Sequence, residues 1–138
     1  MNELGSLIPS KRREKTKEPD FGSQGAFAKE NARILGLLDR IDFKKGDVFS
    51  STPAEKFDII VSNLVFHNFG KKRFKAYSLL SSWTQASSFV IMGGLFFSPK
   101  ADIAYLEKAF RILRQIKPKN GFRDYALLVM SRDSHGLS

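Results

Sequence analysis

No cysteine occurs in the 138 residues. That excludes disulfides, thiol catalysis and cysteine-ligated zinc, and it suits a reducing compartment. Histidine is almost missing too. His67 and His135 are the only two, and His135 lies in a polar tail, which argues against a histidine-based metal site. No apolar run approaches the roughly 18 residues that cross a bilayer. The N-terminus is polar and lacks the apolar centre of a signal peptide. The expectation is a soluble, cytoplasmic protein without membrane contact. A P-loop, a Ser-His-Asp pattern and a recognisable pair of acids are also missing, so the chemistries that need them have no support here.

Apolar and basic residues are plentiful. The chain is 42% hydrophobic and carries 13 Phe, enough for a packed core, and its length fits one domain. The formal net charge is +9. Such an excess attracts phosphate backbones or acidic surfaces, which makes nucleic acid a candidate partner beside the plainer reading of a basic surface. Much of the excess sits in KRREKTK at 11–17 and KKRFK at 71–75.

Residues 1–24 are basic and lack apolar periodicity, and they are expected to be irregular. Residues 25–132 read as one folded α/β domain, and 133–138 as a polar tail. Phe27, Ala28, Ala32, Leu35 and Leu38 fall near one face of a helix over 25–35. Gly36 is placed to take the left-handed residue that ends it. Ile41 and Phe43 alternate with Asp42 and Lys44, the pattern of a half-exposed strand over 41–48. A loop follows over 50–56. Residues 57–64 contain Ile59-Ile60-Val61, a β-branched run suited to a strand covered on both faces. A helix is expected over 71–85, with Ala76, Tyr77, Leu80 and Trp83 inward. Residues 88–97 form another apolar strand. Ser98-Pro99 reads as a cap and first-turn proline for a helix to about Arg114, with Ile103, Leu106, Phe110 and Leu113 inward. Asn120-Gly121 signals a turn, and 125–131 a last strand. This order implies a mostly parallel sheet between helices, with ligands at the carboxyl ends of the strands.

Those ends carry the candidate site residues. Asp47 follows Gly46, where a carboxylate can accept from an adenine amino group or simply cap a tight turn. Asn63 closes the apolar run. There an amide orients a substrate or satisfies backbone groups. His67 follows one turn later, as a general base or as a packed, hydrogen-bonded residue. The spacing D-x-G-x-x-G, Asp20 to Gly25, has the skeleton of a glycine-rich cofactor loop, but no buried strand precedes it. A loop that caps the helix is the alternative.

The segments AKENARILGLLDRIDFKKGDVF, EKFDIIVSNLVFHNF and SSFVIMGGLFF, in this order and spacing, resemble the middle of a class I S-adenosylmethionine-dependent methyltransferase. The resemblance runs from about Ala26 to Phe97 and continues through the last strand. It implies a Rossmann-like three-layer sandwich with sheet order 3-2-1-4-5-7-6. Residues 41–48, 57–64 and 88–97 would be its third, fourth and fifth strands. It implies S-adenosylmethionine as cofactor, with Asp47 and the backbone of Val48 at the adenine. Asn63 and Leu64 would lie near the methyl group and substrate, with His67 beside them. Asn63 and His67 become the candidate catalytic residues.

The family's first two strands and glycine-rich loop are not recognisable, so the fold is expected to be truncated. With them missing, strand three is expected to slide across and pair with strand four, giving an order near 3-4-5-7. Otherwise a second chain completes the sheet as an oligomer, or the isolated chain folds poorly. Three functions remain open: methyl transfer to an unidentified acceptor, a non-catalytic remnant or interaction module, and a basic RNA-binding protein.

Overall fold

A computed structural model describes residues 22–121 and 123–132. Of the segment 1–24 expected to be irregular, residues 1–21 lie outside the described residues, as does the 133–138 tail. The chain forms two compact units, Met1–Asp47 and Val48–Ser138.

In the first unit, α1 (Gly22–Ile34) is built from good helix formers such as Ala26, Ala28, Lys29, Glu30 and Ala32. Gly36 ends it at φ 72°, as its position in the sequence predicts. Leu37 N–H donates to Ala32 O at 2.8 Å and Gly36 N–H to Arg33 O at 3.0 Å, the paired bonds of a Schellman cap. The expected apolar stripe is not covered: Ala32 is buried, but Phe27, Leu35 and Leu38 are exposed. A single 3₁₀ turn, Leu38–Arg40, follows. The strand expected over 41–48 does not form. Two alternating apolar residues before Lys44-Lys45-Gly46 are a short signal, and a strand needs a ladder partner to persist.

The second unit holds the sheet. Its elements are β1 (Phe57–Asn63), a 3₁₀ segment (Phe66–Lys72), α2 (Arg73–Ser82), β2 (Thr84–Leu95), α3 (Pro99–Leu106), β3 (Phe110–Ile116) and β4 (Tyr125–Arg132). The spatial order is β1-β2-β4-β3. β1 is parallel to β2, and β4 is antiparallel to both β2 and β3. Three of the four strands therefore share one direction and β4 runs against them. This is the 4-5-7-6 half of the order that the resemblance implies. The expected 3-4-5-7 order is corrected, because residues 41–47 contribute no strand and β3 supplies one that the sequence reading missed.

That miss came from the helix expected to reach Arg114. α3 stops at Leu106, and Glu107, Lys108 and Ala109 tighten it by donating to Ile103 O, Tyr105 O and Leu106 O. Phe110 and Leu113 fit a helical period, but Phe110, Ile112 and Ile116 also fit a bulged strand. The ladder to β4 decides between them.

Alternation sets the two faces of the sheet. Val90 and Met92 of β2 and Ala126, Leu128 and Met130 of β4 are buried against Ala76, Tyr77 and Leu80 of α2 and Leu106 of α3. Phe110 closes the same core. Asp102, almost fully buried in α3, accepts from Arg73 Nε at 2.6 Å and Tyr77 Oη at 3.0 Å, which ties α2 to α3. The hydrogen bond to Asp102 raises the Arg73 pKa, while burial and the carboxylate push up that of Tyr77. Both helices lie on this face. On the other face, Ile59, Val61 and Phe89 are exposed, and Ile91, Leu127 and Val129 are half-buried.

Candidate functional site

The carboxyl ends of β1 and β2 lie side by side, with Asn63 opposite Gly93 in the parallel ladder. Gly93 in turn faces Leu127 of β4. Tyr125, at the start of β4, reaches over Gly93 and donates from Oη to Asn63 Oδ1 at 2.8 Å. A Cβ at Gly93 would lie 2.4 Å from Tyr125 Oη and 2.5 Å from Asn63 Oδ1. Only glycine leaves room for this bridge. The Tyr125 bond fixes the amide of Asn63, an exposed side chain, and leaves its Nδ2 as the donor for an incoming acceptor.

The chain then turns sharply. Leu64 adopts φ 58°, a left-handed conformation costly for a branched side chain, and its N–H donates to Gly93 O at 2.8 Å. Asn68 Nδ2 donates back to Leu64 O at 3.1 Å and holds the turn. His67 comes next. Its Nδ1 is buried without a hydrogen-bond partner and lies about 4.0 Å from where a Cβ on Gly94 would stand. Successive residues of a strand point to opposite faces. Asn63 and Tyr125 therefore lie on the open face of β2, and His67 on the helix-covered face. The two candidate catalytic side chains are not brought together.

The remaining candidates fall at the unit boundary. Asp47 is the last residue of the first unit, and Val48 begins the second in a turn. Gly22 and Gly25 lie within α1 and form no loop. Tyr125 was missed by the sequence reading, which saw in it only the start of a strand. Gly93 carried a usable signal, since a glycine inside an apolar strand marks a close approach. Among the described residues, no group of three metal-ligating side chains occurs, and no helix is long and apolar enough to cross a membrane.

The chain is similar in fold to several solved structures. One is the mitomycin 7-O-methyltransferase MmcR, with a TM-score of 0.65 at 17% identity, covering 79% of this chain and 39% of that one. A second is the N-methyltransferase NodS from Bradyrhizobium japonicum WM9, solved with S-adenosyl-L-homocysteine, at TM-score 0.59 and 16% identity, covering 75% of this chain and 63% of that one. A third is a ribosomal protein L11 methylase from Lactobacillus delbrueckii subsp. bulgaricus, at TM-score 0.62 and 25% identity, covering 84% of this chain and 55% of that one. The fold is class I methyltransferase-like. No family model matches this sequence, and no curated protein matches it.

The methyltransferase-like chain spans less than two thirds of each of these three structures. Its described residues do not complete a pocket for S-adenosylmethionine. They contain no glycine-rich loop after a strand, and Asp47 does not stand at a strand end. What they do supply is the fixed amide at Asn63.

The bridge makes a direct prediction. Gly93→Ala is expected to destabilise the sheet-bearing unit by about 1–3 kcal/mol, through overpacking and loss of the Asn63–Tyr125 bond. The cost should shrink by at least about 0.5 kcal/mol in a Tyr125→Phe background, where the nearest clashing atom is gone. Denaturant unfolding of the four proteins in this cycle measures it, and strict additivity would contradict the bridge.

Proposed function

We propose that the chain serves S-adenosylmethionine-dependent methyl transfer and that its carboxyl strand ends form the acceptor-facing part of the site. The observation that carries this reading is Asn63, held by Tyr125 across Gly93 at the end of a methyltransferase-like sheet. Positioning supplies much of the rate in a group transfer, so a fixed amide that orients the acceptor is a sufficient role for Asn63. His67, on the other face, has its ring Nδ1 buried close to Gly94 of β2. In this reading it is a structural residue.

Charge favours a phosphate-bearing acceptor. The 3₁₀ segment that leaves the carboxyl end of β1 finishes in exposed Lys71 and Lys72, and exposed Lys75 follows in α2. A nucleic acid is the acceptor class that such a rim attracts.

The test is an NMR titration of the full chain with S-adenosylmethionine and S-adenosyl-L-homocysteine. Binding is expected at a Kd on the order of 1 mM, about −4 kcal/mol, with amide shifts at Asn63, Gly93 and Gly94. No perturbation at several millimolar would leave the fold as a non-catalytic interaction module.

A further inference from the structure

The two edges of the sheet are unlike. β3, at one edge, exposes Arg111 and Arg114, has a register irregularity between Ile112 and Arg114, and runs on into exposed Lys117 and Lys119. Cations and bulges are devices by which an edge strand resists pairing with another chain. β1, at the other edge, has neither device across 59–63. Its register against β2 is unbroken there, and its irregularity is confined to 57–59. Its one charged residue, Asp58, accepts from Gln85 Nε2 at 3.1 Å, and Lys56 just before it donates to Ser82 O at 2.7 Å. Both charges are drawn back onto the chain's own structure. The strand presents apolar side chains instead, with Ile59 59% exposed and Val61 67% exposed. Phe89, Ile91, Leu127 and Val129 continue that apolar surface across the open face.

Among the described residues, no strand lies beyond β1. We propose that this edge pairs with β1 of a second copy, antiparallel, about a two-fold axis at Ile60. In that register Ile59 faces Val61 of the second copy and Val61 faces its Ile59. The four β-branched side chains then make one strip on the open face. Asp58 faces Ser62 of the second copy, so no like charges meet. An axis at Asp58 would set two carboxylates face to face. The two-fold arrangement uses up both unguarded edges and leaves only the arginine-bearing β3 edges outside, so assembly stops at a dimer.

Sedimentation equilibrium of the full chain tests this. A monomer–dimer equilibrium is expected. Val61→Lys should raise the dimer Kd about tenfold or more, a change of about 1.4 kcal/mol. Leu113→Lys, at an exposed position on the other edge, should leave it unchanged. Register is tested by crosslinking, free of background because the chain has no cysteine. Facing residues of an antiparallel pair have Cα atoms about 4.5–5.5 Å apart, within disulfide range. Ile59→Cys mixed with Val61→Cys should therefore crosslink faster than either variant alone, whose like positions stand diagonally at about 7–8 Å. A chain that stays monomeric at several hundred micromolar overturns the proposal. So does crosslinking without this preference, or a chain that is monomeric alone and pairs only with a different protein.

Discussion

Arg73→Met is expected to destabilise the sheet-bearing unit by about 3–5 kcal/mol, because it leaves the Asp102 carboxylate buried without its counter-charge. The Asp102 side chain is only 2% exposed, and its two side-chain partners are Arg73 and Tyr77. A neutral phenol at 3.0 Å does not replace a guanidinium at 2.6 Å. Arg73 also donates from Nη1 to Gly70 O at 2.8 Å, so its loss frees the 3₁₀ segment that leads into α2. The double variant Arg73→Met/Asp102→Leu should recover most of the loss, since an apolar pair of similar volume is often as stable as a buried ion pair. Urea unfolding of the two variants and the parent measures this. The midpoint should fall with little change in slope for the single variant. A single variant within 1 kcal/mol of the parent would show that the pair contributes nothing to holding α2 on α3.

Phe110→Ala is the second large effect, also expected at about 3–5 kcal/mol. Phe110 is 2% exposed and is among the largest fully buried side chains of the described core. It sits at the first position of β3, where the chain leaving α3 enters the sheet. Truncation there opens a cavity between Leu106 and the β4 residues, at a place fixed by the ladder and slow to collapse. At about 4–8 °C per kcal/mol for a domain of this size, the melting temperature should fall by more than about 12 °C. Leu113→Ala is the control, because Leu113 is exposed and its loss should cost under about 0.5 kcal/mol. Equal costs at the two positions would restore the helical reading in which both point inward.

That pair of residues shows where the sequence was legible. Ile59-Ile60-Val61 and 88–97 were readable as strands because long apolar runs between turn signals have few other solutions, but the expected cover on both faces of the first is corrected, since Ile59 and Val61 are exposed on the open face. Gly36 was readable because a glycine after a helical stripe is a local event, settled by the left-handed backbone. Residues 110–116 were not readable, since their apolar positions satisfy two periods and only β4 selects one. Residues 41–47 erred in the opposite direction: their alternation is real, but no strand among the described residues pairs with it.

The candidate site divides in the same way. Asn63 was legible as a polar residue closing an apolar strand. Its partner was not, because Tyr125 lies 62 positions away in the chain. The placement of Asn63 and His67 on opposite faces was equally hidden, although only four positions separate them.

By itself the sequence determined composition-level facts and local ones: a basic chain without cysteine chemistry, apolar strands, a glycine-terminated helix, and a family resemblance carried by ordered segments. These depend on residues close together along the chain. Tertiary structure alone decided which pattern became β3, which strand edge was left unguarded, and that Asn63 is fixed by Tyr125 over Gly93. Those outcomes rest on hydrogen-bond ladders and contacts between distant residues, and local propensity, being weaker than a ladder, yields to them.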